Sequence, residues 1–123
     1  MKAFYSDHFV LPLPEGHRFP MAKYSMLRER VATELLGVNM LEAPAATVGE
    51  LALAHDPEYV KSVQSGTLSP QALREIGFPW SQAMAERSLR SAGASIAAAR
   101  VAAIEGIAGN LAGGTHHASA GQG

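Results

Sequence analysis

Two adjacent imidazoles, His116 and His117, follow a Gly113-Gly114-Thr115 step near the end of this 123-residue chain. Imidazole is the side chain best matched to proton transfer near neutral pH, so such a pair offers an acid or base for hydrolysis. Directly before it runs the short apolar stretch Ile107-Ala108-Gly109-Asn110-Leu111-Ala112, which reads as a strand. The glycine pair permits unusual dihedrals and close backbone approach where that strand ends. In open α/β sheets, sites form at the carboxyl ends of strands. Neighbouring residues on an extended strand point to opposite faces, so the pair by itself does not share a metal ion. No carboxylate or thiol lies between Gly106 and Gly123 to complete a ligand set.

The elements that must position this pair are legible from periodicity and end signals. Ala3-Phe4-Tyr5 is a strand candidate, followed by a polar turn at Ser6-Asp7-His8 and a loop carrying Pro12, Pro14, Gly16 and Pro20. A helix is expected from Ala22 or Lys23 to Leu36, with Met26, Leu27, Val31 and Leu35 on one face and Gly37 as its stop. Val38 to Leu41 is a second strand candidate. Thr47-Val48-Gly49-Glu50 has the spacing of a capping box. Asp56-Pro57 and Ser69-Pro70 each read as an N-cap followed by proline at the first helical position, with stops near Gly66 and at Gly77. The longest helix is expected from Ser81 to Glu105, with Leu89, Ala92, Gly93, Ile96, Ala99 and Ala103 as the face that approaches a sheet. Helices alternating with short apolar strands indicate an α/β chain with parallel pairing.

Composition narrows the class. Apolar residues make up 47% of the chain and charged residues 17%, which favours a packed interior over disorder. A net charge of −1 gives no surface obviously built for a phosphate backbone, so nucleic acid is not an expected partner. The absence of cysteine excludes disulfides and thiolate metal sites, and fits a cytoplasmic setting. The start of the chain does not read as a signal peptide, and no stretch has the length of a membrane span.

Several other side chains have both a chemical and a packing reading. His17 and Arg18 stand in the proline-rich loop, as part of a pocket rim or as a charged tip. Phe19 and Met21 are expected to pack against the first helix. His55 precedes an N-cap and reads as solvated or capping, while Tyr59 and Val60 read as core. Phe78 and Trp80 are open between lining a channel and stapling onto the long helix.

Taken together, Tyr5-Ser6-Asp7-His8, Gly16-His17-Arg18-Phe19-Pro20-Met21, His55-Asp56-Pro57-Glu58-Tyr59-Val60, Gly77-Phe78-Pro79-Trp80, the stretch from Arg87 to Arg100 and Asn110-Leu111-Ala112-Gly113-Gly114-Thr115-His116-His117-Ala118 resemble the zinc-dependent histone deacetylase superfamily. The likeness is strongest to its bacterial branch, which includes acetylpolyamine and acetoin-utilisation-type deacetylases. It covers essentially the whole chain, and its final block is the most specific.

The resemblance implies an arginase-type open, mostly parallel sheet flanked by helices, and hydrolysis of an N-acetylated lysine, polyamine or similar amine with the help of zinc. It implies that His117 is the general base and the acid for the departing amine, with His116 as the neighbouring hydrogen-bonding imidazole. Gly114 would let the backbone pass close to the acetyl pocket, and Arg18, Phe78 and Trp80 would stand at the pocket or its rim. Pro79 and Trp80 occupy the neighbourhood where some members carry an aspartate that grips a peptide substrate, which favours a small acylated amine at least equally. The family's metal-ligating aspartates and histidine, and its carbonyl-polarising tyrosine, would all lie beyond Gly123. Residues 1–123 are therefore expected to form a single incomplete deacetylase-like domain, truncated after the His-His motif, with no zinc held by the chain alone. Two other readings stand beside this one. The first is a short non-catalytic protein that associates through its exposed sheet edge, as a homo-oligomer or with a separate carboxyl-terminal portion. The second is metal sequestration through His8, His17, His55, His116 and His117, whose scatter along the chain offers no convergent set.

Overall fold

The computed structural model describes residues 1–113 and 117–123. Strand β1 (Lys2–Tyr5) leads through the proline loop into helix α1 (Lys23–Glu34) and strand β2 (Asn39–Glu42). Three short helices follow, α2 (Val48–Leu51), α3 (Pro57–Ser65) and α4 (Pro70–Ile76), then the long helix α5 (Gln82–Glu105) and strand β3 (Ala108–Asn110). The sheet has the order β2-β1-β3, and β1 pairs in parallel with both neighbours. Phe4 stands opposite Leu41 on one side and Asn110 on the other. All three carboxyl ends thus lie on one edge of the sheet. This is an α/β arrangement of parallel strands with helices, as in the arginase and deacetylase type of fold.

The helix starts are set by short-range chemistry. Thr47 and Glu50 form a complete capping box, and the side chains of Asp56, Ser69 and Ser81 accept hydrogen bonds from the backbone N–H groups of Glu58, Ala72 and Met84. Each satisfies a donor that the first helical turn leaves without a partner. Gly66 and Gly77 end α3 and α4 in the left-handed conformation.

The core lies between the sheet and α5. Phe4, Ala43, Ala94 and Ala98 are buried together, with Leu41, Ala97, Val101 and Ala108 packed against them. Burying a side chain the size of Phe4 contributes roughly 1.5–3 kcal/mol. The buried face of α5 differs from the one its periodicity suggests. Met84, Ala85, Arg87, Gly93, Ala94 and Ala98 are buried, whereas Ala99 and Ala103 are exposed. Alanines surround this helix on all sides, so apolar spacing discriminates its faces weakly. Backbone approach at Gly93 and the anchoring of Arg87 decide its rotation.

Helix α1 also departs from expectation. It ends at Glu34, two residues short of the expected Leu36, because Leu35 leaves the helical conformation. It has no buried residue, and Met26 and Leu27 of its apolar face, with Leu35 just past its end, are 61%, 42% and 54% exposed. A polar anchor holds it to the sheet instead. Arg28 donates to both oxygens of Asp7 at 2.8 and 2.9 Å and lies over the Tyr5 ring. Hydrogen bonding to Asp7 raises the already high pKa of Arg28. No helix among the described residues is long and apolar enough to cross a membrane.

Candidate functional site

The segment bearing the histidine pair leaves the carboxyl end of β3 and is pinned on both flanks. Upstream, the Asn110 side-chain amide donates to Ser91 O at 3.1 Å and Ser95 Oγ at 3.0 Å, while its Oδ1 accepts from Ala112 N at 2.9 Å. The Ser91 hydroxyl donates to Ala112 O at 2.9 Å. These bonds fasten the turn after β3 to the middle of α5. Downstream, Ser119 and Gln122 close a small bridge, and Asp56 N donates to Ala120 O at 2.7 Å. The N-terminus of α3 thereby holds the returning chain.

Between these anchors, His117 is described and exposed, while His116 and Gly114 lie outside the described residues. The residues that flank the segment, Gly113 and Ala118, line a half-open cavity of about 720 Å³. Leu11, which follows the carboxyl end of β1, lines it too. The cavity therefore sits where parallel sheets gather their sites.

One wall is aromatic. Phe78 lines the cavity and stacks on His17 at a ring separation of 5.6 Å, and Phe19 meets Phe78 edge-on at 5.2 Å. The His17 Nδ1 accepts a hydrogen bond from Phe19 N at 3.2 Å, which fixes the ring in this stack. Tyr59 and His55 stand on the α3 side of the cavity, 6.0 Å apart by ring centroid. Burial pushes the Tyr59 phenol above its ordinary value and keeps it a neutral donor. The His55 Nδ1 is buried with no hydrogen-bond partner among the described residues. Lys23, Tyr24 and Arg87 contribute a basic end.

The structure thus brings Phe78 together with the His117 segment, and separates the other expected rim residues from it. Arg18 is exposed and is not among the residues that line the cavity. Trp80 is not among them either, because its indole N–H donates to Val63 O at 2.7 Å. Its ring fills the space beside Gly66, where an added Cβ would come within 2.8 Å of it. Trp80 is therefore a pin between α3 and the start of α5. The site residues that sequence reasoning missed are Asn110, Ser91, Ser95, Lys23, Tyr24 and Arg87. Asn110 offered a signal, as an amide at the end of an apolar strand, whereas the others are ordinary helix residues in sequence.

Residues 17–123 match the histone deacetylase domain. The chain belongs to this family. It is also 39% identical over 121 residues to an uncharacterised protein of Picosynechococcus sp. (strain ATCC 27264 / PCC 7002 / PR-6), a match covering 97% of this chain and 40% of that protein. The chain therefore spans well under half the length of this relative. Histone deacetylases belong to a hydrolase superfamily, and membership links the chain to it at the level of the family.

Zinc is the metal that family membership suggests, and the described residues do not fit it. Among them no three His, Asp or Glu side chains converge where a metal ion could be held. No Asp or Glu is found among the described residues that line the cavity. What the described residues offer chemically is an exposed imidazole, His117, next in sequence to the cavity-lining Ala118, together with a neutral phenol and a basic end of the cavity.

Proposed function

We propose that this chain is the amino-terminal portion of a metal-dependent deacylase acting on N-acetyl-lysine, an acetylpolyamine or a similar acylated amine. In this reading His117 takes a proton from the attacking water as its oxygen bonds to the acyl carbon. The same imidazole gives that proton to the nitrogen as the C–N bond breaks, leaving a carboxylic acid and a free amine. His116 hydrogen-bonds beside it, and Phe78 flanks the entering acylated chain. Residues that this chain does not itself supply would hold the zinc and polarise the carbonyl, so the 123-residue chain alone is inactive.

The observation that carries the reading is the pinned segment after β3, whose flanks Gly113 and Ala118 border the cavity at the carboxyl edge of the parallel sheet. The coverage of 40% of the Picosynechococcus relative supports the division into portions. The test uses the chain by itself, purified without a tag in zinc-containing buffer. It is expected to hold no stoichiometric zinc and to release no acetate from an acetyl-lysine peptide or an acetylated polyamine. One tightly held zinc per chain together with acetate release would overturn the proposed division of labour.

A second reading, association of the chain with copies of itself, is favoured by the exposed Leu27 on α1 and Leu35 just past its end, and by the position of β3 at the sheet edge. A hydrodynamic mass that stays monomeric at high concentration would eliminate it.

A further inference from the structure

Helix α1 carries a socket on its own surface. Leu27, Arg30, Val31 and Glu34, with Leu35 just past the helix end, surround a shallow pocket of about 290 Å³. Among the described residues, none from another element lines it. The first four have the spacing i, i+3, i+4 and i+7. Side chains so spaced are the corners of the hole that a knob from a facing helix fills in coiled-coil packing. The socket therefore has the form that a second helix fits.

Its chemistry narrows what that helix can be. Leu27, Val31 and Leu35 make it aliphatic, and Leu27 and Leu35 are exposed. Arg30 and Glu34 stand on its rim, bonded to one another at 3.1 Å and both largely exposed. The rim thus bears one charge of each sign, one helical turn apart. A membrane surface favours a rim of one sign, which this socket lacks. A fitting helix presents an aliphatic knob, with an acid and a base in the reverse order. Helix α1 run antiparallel to itself does so. The chain's net charge of −1 adds little long-range repulsion between two copies.

We propose that α1 is the contact surface of a twofold dimer of this chain, in which Leu35 of each copy enters the socket of the other. Arg30 of each copy then faces Glu34 of the other, and the twofold axis passes between Ala32 and Thr33. Such a contact is self-complementary and closes at two copies. Leu35 suits the knob because its N–H still bonds Val31 O at 3.0 Å, which holds it one turn beyond Val31. The proposal rests on the self-association reading and assigns it to α1, with the edge of β3 as the competing place.

The test is sedimentation equilibrium of the 123-residue chain over a range of concentrations, where a monomer–dimer equilibrium is expected. Leu27→Asp, at an exposed position, should weaken the dimer at least about tenfold while the helical circular dichroism is unchanged. Should that variant lose helicity, the charge variants carry the test. Arg30→Glu and Glu34→Arg should each weaken the dimer at least about fivefold at low salt, because each sets like charges face to face twice. An equimolar mixture of these two variants should recover the original affinity, since opposite charges then meet at both places between unlike copies. Repulsion within each α1 persists in the mixture, so recovery reports the contact between copies. A chain that stays monomeric at every concentration would overturn both the proposal and the reading beneath it. A dimer indifferent to the α1 substitutions, a mixture that does not recover, or growth beyond two copies would overturn the α1 contact and leave self-association to the edge of β3.

Discussion

Tyr59 shows how a single half-buried group ties stability to pH. Its phenol is raised by burial, so the folded-state value lies above the unfolded one. The neutral phenol's contribution is whole below about pH 10 and is lost as pH rises through the folded value. Alkaline unfolding curves should therefore show stability falling from about pH 10 upward, and Tyr59→Phe should flatten part of that limb. A limb unchanged in Tyr59→Phe would contradict the assignment. Residue-scale features of this kind were unevenly legible in sequence. The caps at Thr47, Asp56, Ser69 and Ser81 were readable because each side chain bonds a backbone N–H two or three residues ahead. Arg87 was not, because its carbonyl partners at Ser6 and Phe9 come from the opposite end of the chain. Phe78 and Trp80 share one short segment, yet only the fold separates a cavity wall from an inter-helix pin.

Among the elements, α5 controls the site because the same helix covers the sheet and fastens the turn after β3. Its closest approach is at Gly93, where an added Cβ would collide with Pro44 O and lie 2.6 Å from Ala46 N. Neither backbone atom can yield without moving the segment after β2. Gly93→Ala is therefore expected to destabilise the chain by about 1–3 kcal/mol or more, read as a fall in the midpoint of urea unfolding. An unchanged midpoint would show that this approach is looser than described. The parallel pairing of three strands and the ends of α3, α4 and α5 followed from sequence, since apolar runs and stop residues are local signals, whereas α1 stops at Glu34 before the expected Leu36. Which face of α5 turns inward did not follow, because alanine offers nearly the same surface all round. The apolar stripe on α1 was visible but misleading. Leu27 and Leu35 have helical spacing, yet the contact that holds α1 is the Arg28–Asp7 pair.

For the whole molecule, the candidate site is the edge of the sheet where the segment after β3 borders a cavity, and the proposed reading gives that segment the acid–base groups. The likeness of the histidine block and its upstream segments to the deacetylases was legible because those blocks keep their order and spacing along the chain. The cavity's basic end was illegible, since it draws on α1, α5 and the proline loop at once. The chain's share of the Picosynechococcus relative, 40%, frames the proposed activity as a property of a longer assembly. The most direct measurement replaces the matching 121-residue stretch of that relative with this chain and follows acetate release from an acetyl-lysine peptide and an acetylated polyamine in the presence of zinc. The folded hybrid is expected to release acetate, and His117→Ala within it to lose at least about a hundredfold in rate. A folded, zinc-loaded hybrid with no hydrolysis, or one whose rate is indifferent to His117→Ala, would contradict the account.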